Sequence, residues 1–249
     1  MMRRIAIFAA LRWECQPVLR QLRHVSKRRL ETFTVWQGRA DTVEVWLIKT
    51  GMGMQRAAEA ARAVVDSGQF DLFVSTGCAG ALAPELRPGD LVLATTVIDR
   101  ATDHRYESDA TTRADWQTVA NRAALHAALA PELCATEILA SVADKRAAAA
   151  ETGAVAVDME GAGIAACATD SGIPFALVRA ILDTAADDVE ASFAFINPAT
   201  GDIKPLAVAA RLARHPGTVT RLLTMQRQMK AADASLTRFF AAWLPTPPR

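Results

Sequence analysis

An α/β fold, with one largely parallel sheet covered by helices, is what this chain predicts, and three observations carry the prediction. Short apolar, β-rich runs alternate with alanine-rich helical stretches along most of the sequence. Hydrophobic residues make up 51% and charged residues 22% of 249, ample for a core and unlike a disordered chain. No repeat, low-complexity tract or linker interrupts the alternation, so residues 1–249 are expected to form a single domain, with a helical extension from about Pro205.

The elements follow in order. Arg4–Ala10 reads as a buried strand. The start Met1-Met-Arg-Arg before Ile5–Leu11 has the outline of a signal peptide, but Arg12, Trp13 and Glu14 stop the apolar run too early. Glu14–Arg23 predicts a helix, and Thr32–Gln37 with Val43–Lys49 a hairpin around Gly38–Asp41. Gln55–Ser67 has the spacing of an amphipathic helix, and Asp71–Thr76 and Leu91–Ile98 are buried strands. Ala114–Leu129 predicts a helix, Leu133–Val142 a strand, and Ala154–Val157 a short strand leading into a helix over Met159–Ser171. Phe175–Leu182 is the last clear strand. Nothing approaches the roughly 20 apolar residues of a membrane span, so a cytoplasmic location is expected.

Charge and cysteines narrow the partners. A net charge of +1 and a pI near 7.7 give no field that would favour nucleic acid. Cys15, Cys78, Cys134 and Cys167 lack CxxC or metal-type spacing, which points to free thiols in a reducing compartment and to no metal site.

In open α/β sheets ligands bind beyond the carboxyl ends of the strands, and five such places carry suggestive residues. Ala10-Leu-Arg-Trp-Glu14 ends a strand in an acid, which is either a helix cap or a functional carboxylate. Lys49-Thr-Gly-Met-Gly-Met54 lets backbone approach a ligand, as an ordinary tight turn also would. Ser75-Thr76-Gly77-Cys78-Ala-Gly80 offers small polar groups. It does not fit the GxGxxG fingerprint, which argues against a dinucleotide-dependent oxidoreductase. Asp158-Met159-Glu160 opens an apolar helix (Gly161–Ala168) that packs inside, so its acids need partners. The two hydroxyls of a ribose are suitable ones. Asp183 closes a buried strand, where desolvation suits a general acid; a cap for the next element is the other reading.

Taken together, A-L-R-W-E, K-T-G-M-G, S-T-G-C-A-G, L-R-P-G-D-L-V-L (Leu86–Leu93), A-V-D-M-E and V-R-A-I-L-D resemble the nucleoside phosphorylase and methylthioadenosine/S-adenosylhomocysteine nucleosidase superfamily. The resemblance spans about residues 5–193 and implies a single three-layer α/β/α domain with a central mixed sheet. It implies that Glu14 activates the attacking water, that Met159 and Glu160 contact the ribose, and that Asp183 donates a proton to purine N7. Thr76, Gly77 and Cys78 are then substrate-binding, with Cys78 near the nucleophile site where a serine is usual, and Phe193 lies against the 5′ side. Asp158 is read as structural, at the helix start. Leu182 replaces a frequent serine, and Ile138–Ala154 lacks the aromatic that usually stacks on the base. No metal or organic cofactor is implied, and homo-oligomers are common in the superfamily.

The leaving purine needs a proton and the oxocarbenium-like ribosyl group needs negative charge nearby, which is the work of Asp183 and Glu160. Phosphorolysis would need basic residues, and the first loop has only Arg12, beside Glu14, so hydrolysis is favoured over phosphate as co-substrate. Asn197–Pro205 and Ala210–Pro216 resemble the hopanoid-associated phosphorylase branch, which implies an adenosine bearing a large apolar 5′ group such as adenosylhopane. The segment from Arg221 to Phe240 mixes basic and apolar residues at helical spacing; it either touches a bilayer surface peripherally or packs on protein. An ordinary methylthioadenosine/S-adenosylhomocysteine nucleosidase, a phosphate-dependent purine nucleoside phosphorylase and a non-catalytic nucleoside sensor are the alternatives.

Overall fold

A computed structural model describes residues 3–188 and 218–244, with side chains from 223 onward in the second stretch. Its strands are β1 (Arg4–Ala9), β2 (Arg23–Leu30), β3 (Phe33–Ala40), β4 (Val43–Lys49), β5 (Leu72–Ala81), β6 (Leu91–Asp99), β7 (Arg105–Glu107), β8 (Ala127–Cys134), β9 (Ala156–Asp158) and β10 (Phe175–Asp183). The helices are α1 (Gln16–Leu19), α2 (Met54–Ser67), α3 (Ala110–Arg122), α4 (Val142–Thr152), α5 (Gly161–Asp170) and α6 (Thr218–Trp243).

One mixed sheet joins all ten strands. The antiparallel meander β2-β3-β4 continues through parallel pairs into β1 and β5. At β5 the sheet divides: β10 pairs with it in parallel and β9 antiparallel, and the pairs β10–β6, β6–β8 and β8–β9 close these five strands into a ring. Alternate residues of β1 serve opposite faces, as the two-residue period of a strand requires. Ile5, Ile7 and Ala9 join a core with Trp116 of α3 and Leu236, Phe239 and Phe240 of α6. Ala6 and Phe8 join another with Ala57 and Val64 of α2 and Ile164 and Ala165 of α5. The result is the three-layer α/β/α arrangement.

Several expectations are corrected. The helix expected over Glu14–Arg23 is four residues long, and Arg23–Leu30 is a strand whose middle six residues are exposed at the sheet edge. The helix expected to reach Leu129 stops at Arg122 and Ala124 takes φ +49°, so the chain turns and enters β8 at Ala127. The strand expected over Leu133–Val142 is only the end of β8, and the next element is helix α4. The stretch after Pro205 is described only from α6 onward. That helix is an integral layer, because Ala232, Leu236, Phe239 and Phe240 are fully buried. Burial of this stripe on the domain is the packing alternative for the tail; Leu223, nearer its start, is exposed. Among the described residues no helix is long and apolar enough to cross a membrane.

Candidate active site

The carboxyl ends of β1, β5, β9 and β10 converge on a pocket of about 1000 Å³, its open mouth included. Glu14, Cys78, Met159, Glu160 and Asp183 all line it. Three of the five are carboxylates, each held by a different device.

Glu14 lies in the turn between β1 and α1 and does not cap that helix. It is 5% exposed, and its carboxylate accepts from the backbone N–H groups of Leu11 (2.8 Å, Oε2) and Cys78 (2.9 Å, Oε1). Burial raises its pKa above the ordinary 4.5, while these two bonds pull the other way. Gly77 makes the arrangement possible. It takes φ +148°, and a Cβ there would lie 2.8 Å from Glu14 Oε1. Gly77→Ala is therefore expected to displace the carboxylate, and a shift of about 1 Å costs on the order of a hundredfold in rate. Steady-state kinetics on a variant of confirmed fold would check this; unaltered kcat would contradict it.

Glu160 stands just ahead of α5. Its Oε1 accepts from the N–H of Gly53, the residue that precedes α2, at 2.7 Å. The two helix starts meet because Gly163 has no side chain: a Cβ there would lie 2.3 Å from the Met54 carbonyl oxygen. The glycine-rich second loop thus directs an N–H at an internal carboxylate. Burial, reinforced by Asp158, pushes the Glu160 pKa up to about 8. Burial thus favours the protonated form of Glu160, whereas two ribose hydroxyls, the partners that the resemblance implies, would favour the carboxylate. Affinity for an unreactive nucleoside analogue should then tighten, by at most about tenfold per pH unit, until pH passes the free-site pKa. Calorimetry in buffers of differing ionisation enthalpy should register proton release; pH-independent binding without release would contradict the assignment.

Asp158 has a different task. Arg179, 2% exposed, donates to its Oδ2 through Nε (3.1 Å) and Nη2, and Gly161 N–H donates to the same oxygen at 2.8 Å. Arg179 also donates to Ser75 Oγ at 2.8 Å and faces Glu132 at 3.6 Å. This buried network ties β5, β8, β9 and β10 together beneath Glu160, so the structural reading of Asp158 holds.

Asp183, 6% exposed at the end of β10, is engaged through Oδ2 by Lys145 of α4. Burial raises its pKa and Lys145 opposes that rise. Burial, with Glu14 beside it, also holds the Cys78 thiol well above its ordinary pKa, so the sulfur is neutral. Thr76 is buried within β5 and does not line the pocket, and Gly77 acts through Glu14. Phe193 lies outside the described residues. The residues that sequence reasoning missed are Lys145 and the apolar walls contributed by Met52, Ile138, Leu139, Met225 and Met229. Among the described residues no group of three or more His, Cys, Asp or Glu could hold a metal ion.

Comparison with known proteins decides the family: the description "Phosphorylase superfamily" matches residues 4–214. The chain belongs to the phosphorylase superfamily. It is 33% identical over 194 residues to the 5′-methylthioadenosine/S-adenosylhomocysteine nucleosidase of Geobacillus thermodenitrificans (strain NG80-2), covering 63% of this chain and 73% of that one. The Geobacillus kaustophilus (strain HTA426) protein of the same name is 32% identical over 195 residues, 63% and 74% of the two chains. The fold is similar to Streptococcus pyogenes S-adenosylhomocysteine nucleosidase, solved with 5-methylthiotubericidin, at a TM-score of 0.76, 23% identity and 98% coverage of both chains. It is also similar to Helicobacter pylori futalosine hydrolase, at a TM-score of 0.73, 19% identity and coverage of 96% and 97%. This superfamily member is an enzyme of N-glycosidic bond cleavage.

Proposed function

We propose that this enzyme hydrolyses the N-glycosidic bond of a purine nucleoside, adenine being the base, with Glu14 as the group that activates water. The observation that carries the choice of water is the position of the Glu14 carboxylate. It occupies the two backbone N–H groups, of Leu11 and Cys78, that an anion would otherwise use. A phosphate there would meet a carboxylate, and the only cation lining the pocket among the described residues, Lys145, is already engaged with Asp183. Glu160 grips the ribose diol beside Met159, and Asp183 protonates N7 as the bond to N9 breaks. Side chains alone suffice for this chemistry.

The nucleoside carries an apolar group at its 5′ position, of the kind found in adenosylhopane. Support comes from the walls, where Trp13, Met52, Leu182, Met225 and Met229 surround the acids with apolar and flexible surface. The nucleosidase relatives favour a second reading, cleavage of methylthioadenosine itself. Adenine release from methylthioadenosine and from a long-chain 5′-alkyl adenosine tests the two. The larger kcat/KM is expected for the long-chain nucleoside; a clear preference for methylthioadenosine would favour the second reading.

A further inference from the structure

Lys145 is 1% exposed, and a side-chain amine so buried needs acceptors for its hydrogens. Three acceptors take them: Asp183 Oδ2, the Thr184 carbonyl at 2.8 Å and the Asp187 carbonyl at 3.1 Å. The two carbonyls belong to the turn that follows β10, so Lys145 ties α4 to the segment bearing Asp183. That turn is also fixed from within and from α6, since Asp187 Oδ2 accepts from Thr184 N–H at 2.8 Å and from Gln228 at 3.2 Å. With Oδ2 engaged, Oδ1 is the carboxyl oxygen left to meet a ligand.

We propose that Lys145 is a positioning residue for Asp183: it holds the carboxyl group by Oδ2 and stabilises the negative charge that forms there as the purine departs. The inference rests on the reading of Asp183 as the proton donor. When the C1′–N9 bond breaks, its electron pair goes to the purine, the O–H bond of Asp183 breaks and an N7–H bond forms. The ribosyl carbon takes the oxygen of water, whose proton goes to Glu14. A carboxylate is thereby created beside an ammonium already in place, an interaction that grows only as the proton leaves and so favours the transition state.

Among the described residues, the other titratable groups around Asp183 are Asp187 in the same turn and Cys78 of β5, with Glu14, Glu137, Asp158 and Glu160 elsewhere on the pocket wall. Asp90, at the lead into β6, is turned to Arg87 N–H and His126. Lys145 is thus, among the described residues, the cation in contact with the carboxyl group, and its removal leaves burial and Asp187 raising the proton affinity of Asp183 against only a backbone hydrogen bond.

The experiment compares Lys145→Met and Lys145→Arg with the wild type on a 5′-alkyl adenosine and on the matching nitrophenyl riboside, whose leaving group needs no proton. For Lys145→Met, kcat for adenine release should fall about tenfold to a hundredfold with KM little altered, and the alkaline limb of its pH profile should move upward. The loss on the purine should exceed the loss on the nitrophenyl riboside by about tenfold or more, and Lys145→Arg should recover part of it. An unmoved alkaline limb, or equal loss on both substrates, would overturn the proposal. If Asp183→Asn releases adenine as fast as the wild type, the proton-donor reading itself fails, and the proposal for Lys145 falls with it.

Discussion

Asp183→Asn is expected to lower kcat for adenine release by about 10²–10⁴-fold, the usual worth of a positioned general acid. At about 1.36 kcal/mol per factor of ten, that is about 3 to 5 kcal/mol of lost transition-state stabilisation. The amide keeps the shape of the carboxyl group, and its oxygen still accepts from Lys145, so the fold should survive. What it cannot do is release a proton to N7. The pH dependence gives a second handle. In the proposed role Asp183 must be protonated to act, so wild-type activity should fall as pH rises through its pKa, which burial sets above the ordinary 3.8. The variant should lose that alkaline limb along with the rate. Adenine release within a few-fold of wild type would remove Asp183 from the chemistry.

Glu14→Gln should be comparably severe, again about 10²–10⁴ in kcat, since on the proposed reading it removes the base that activates water. Its effect on the fold should be larger than that of the Asp183 variant. Both oxygens of Glu14 accept from backbone N–H groups, and an amide turns one acceptor into a donor facing another donor. A buried mismatch of this kind costs about 1–3 kcal/mol, so thermal unfolding should be recorded beside the kinetics. The pH signature is opposite in sign to that of Asp183. Glu14 must be ionised to take a proton, so activity should fall as pH drops through a pKa that burial has raised above 4.5. In the variant the acidic limb should flatten. Retention of a wild-type acidic limb would assign it to another group.

The parts of the fold readable in the sequence are those where burial writes a pattern. β1, the β3–β4 hairpin, α2, β6, α5 and β10 all combine a bounded apolar run with a turn signal, and all fall within a few residues of expectation. β2 escaped because R-H-V-S-K-R-R-L lies at the sheet edge with one partner strand and an exposed middle, and shows neither core face nor alternation. The run Ala123–Leu129 reads as helix by propensity alone. Its parallel pairing with β6, Leu91 opposite Ala127, overrides that preference.

The site was legible to the extent that its acids stand at strand ends. Glu14, Glu160 and Asp183 share one pocket, and Asp158 is structural because Arg179 and the start of α5 claim it. Lys145 was not legible. One lysine in V-A-D-K-R-A-A-A-A carries no sign of burial in the sequence, and only the fold turns it inward with Ala148. Nor could spacing show that the glycine loop before α2 serves Glu160, since that contact depends on two helix starts meeting at Gly163.

On the proposed reading water, activated at Glu14, takes the ribosyl group from a purine. Incubation of the enzyme with a 5′-alkyl adenosine in phosphate-free buffer made with ¹⁸O-water tests it most directly. Adenine release at full rate is expected, with the heavy oxygen on C1′ of the freed sugar and no acceleration on adding phosphate. Cleavage that requires phosphate and yields a sugar 1-phosphate would contradict it.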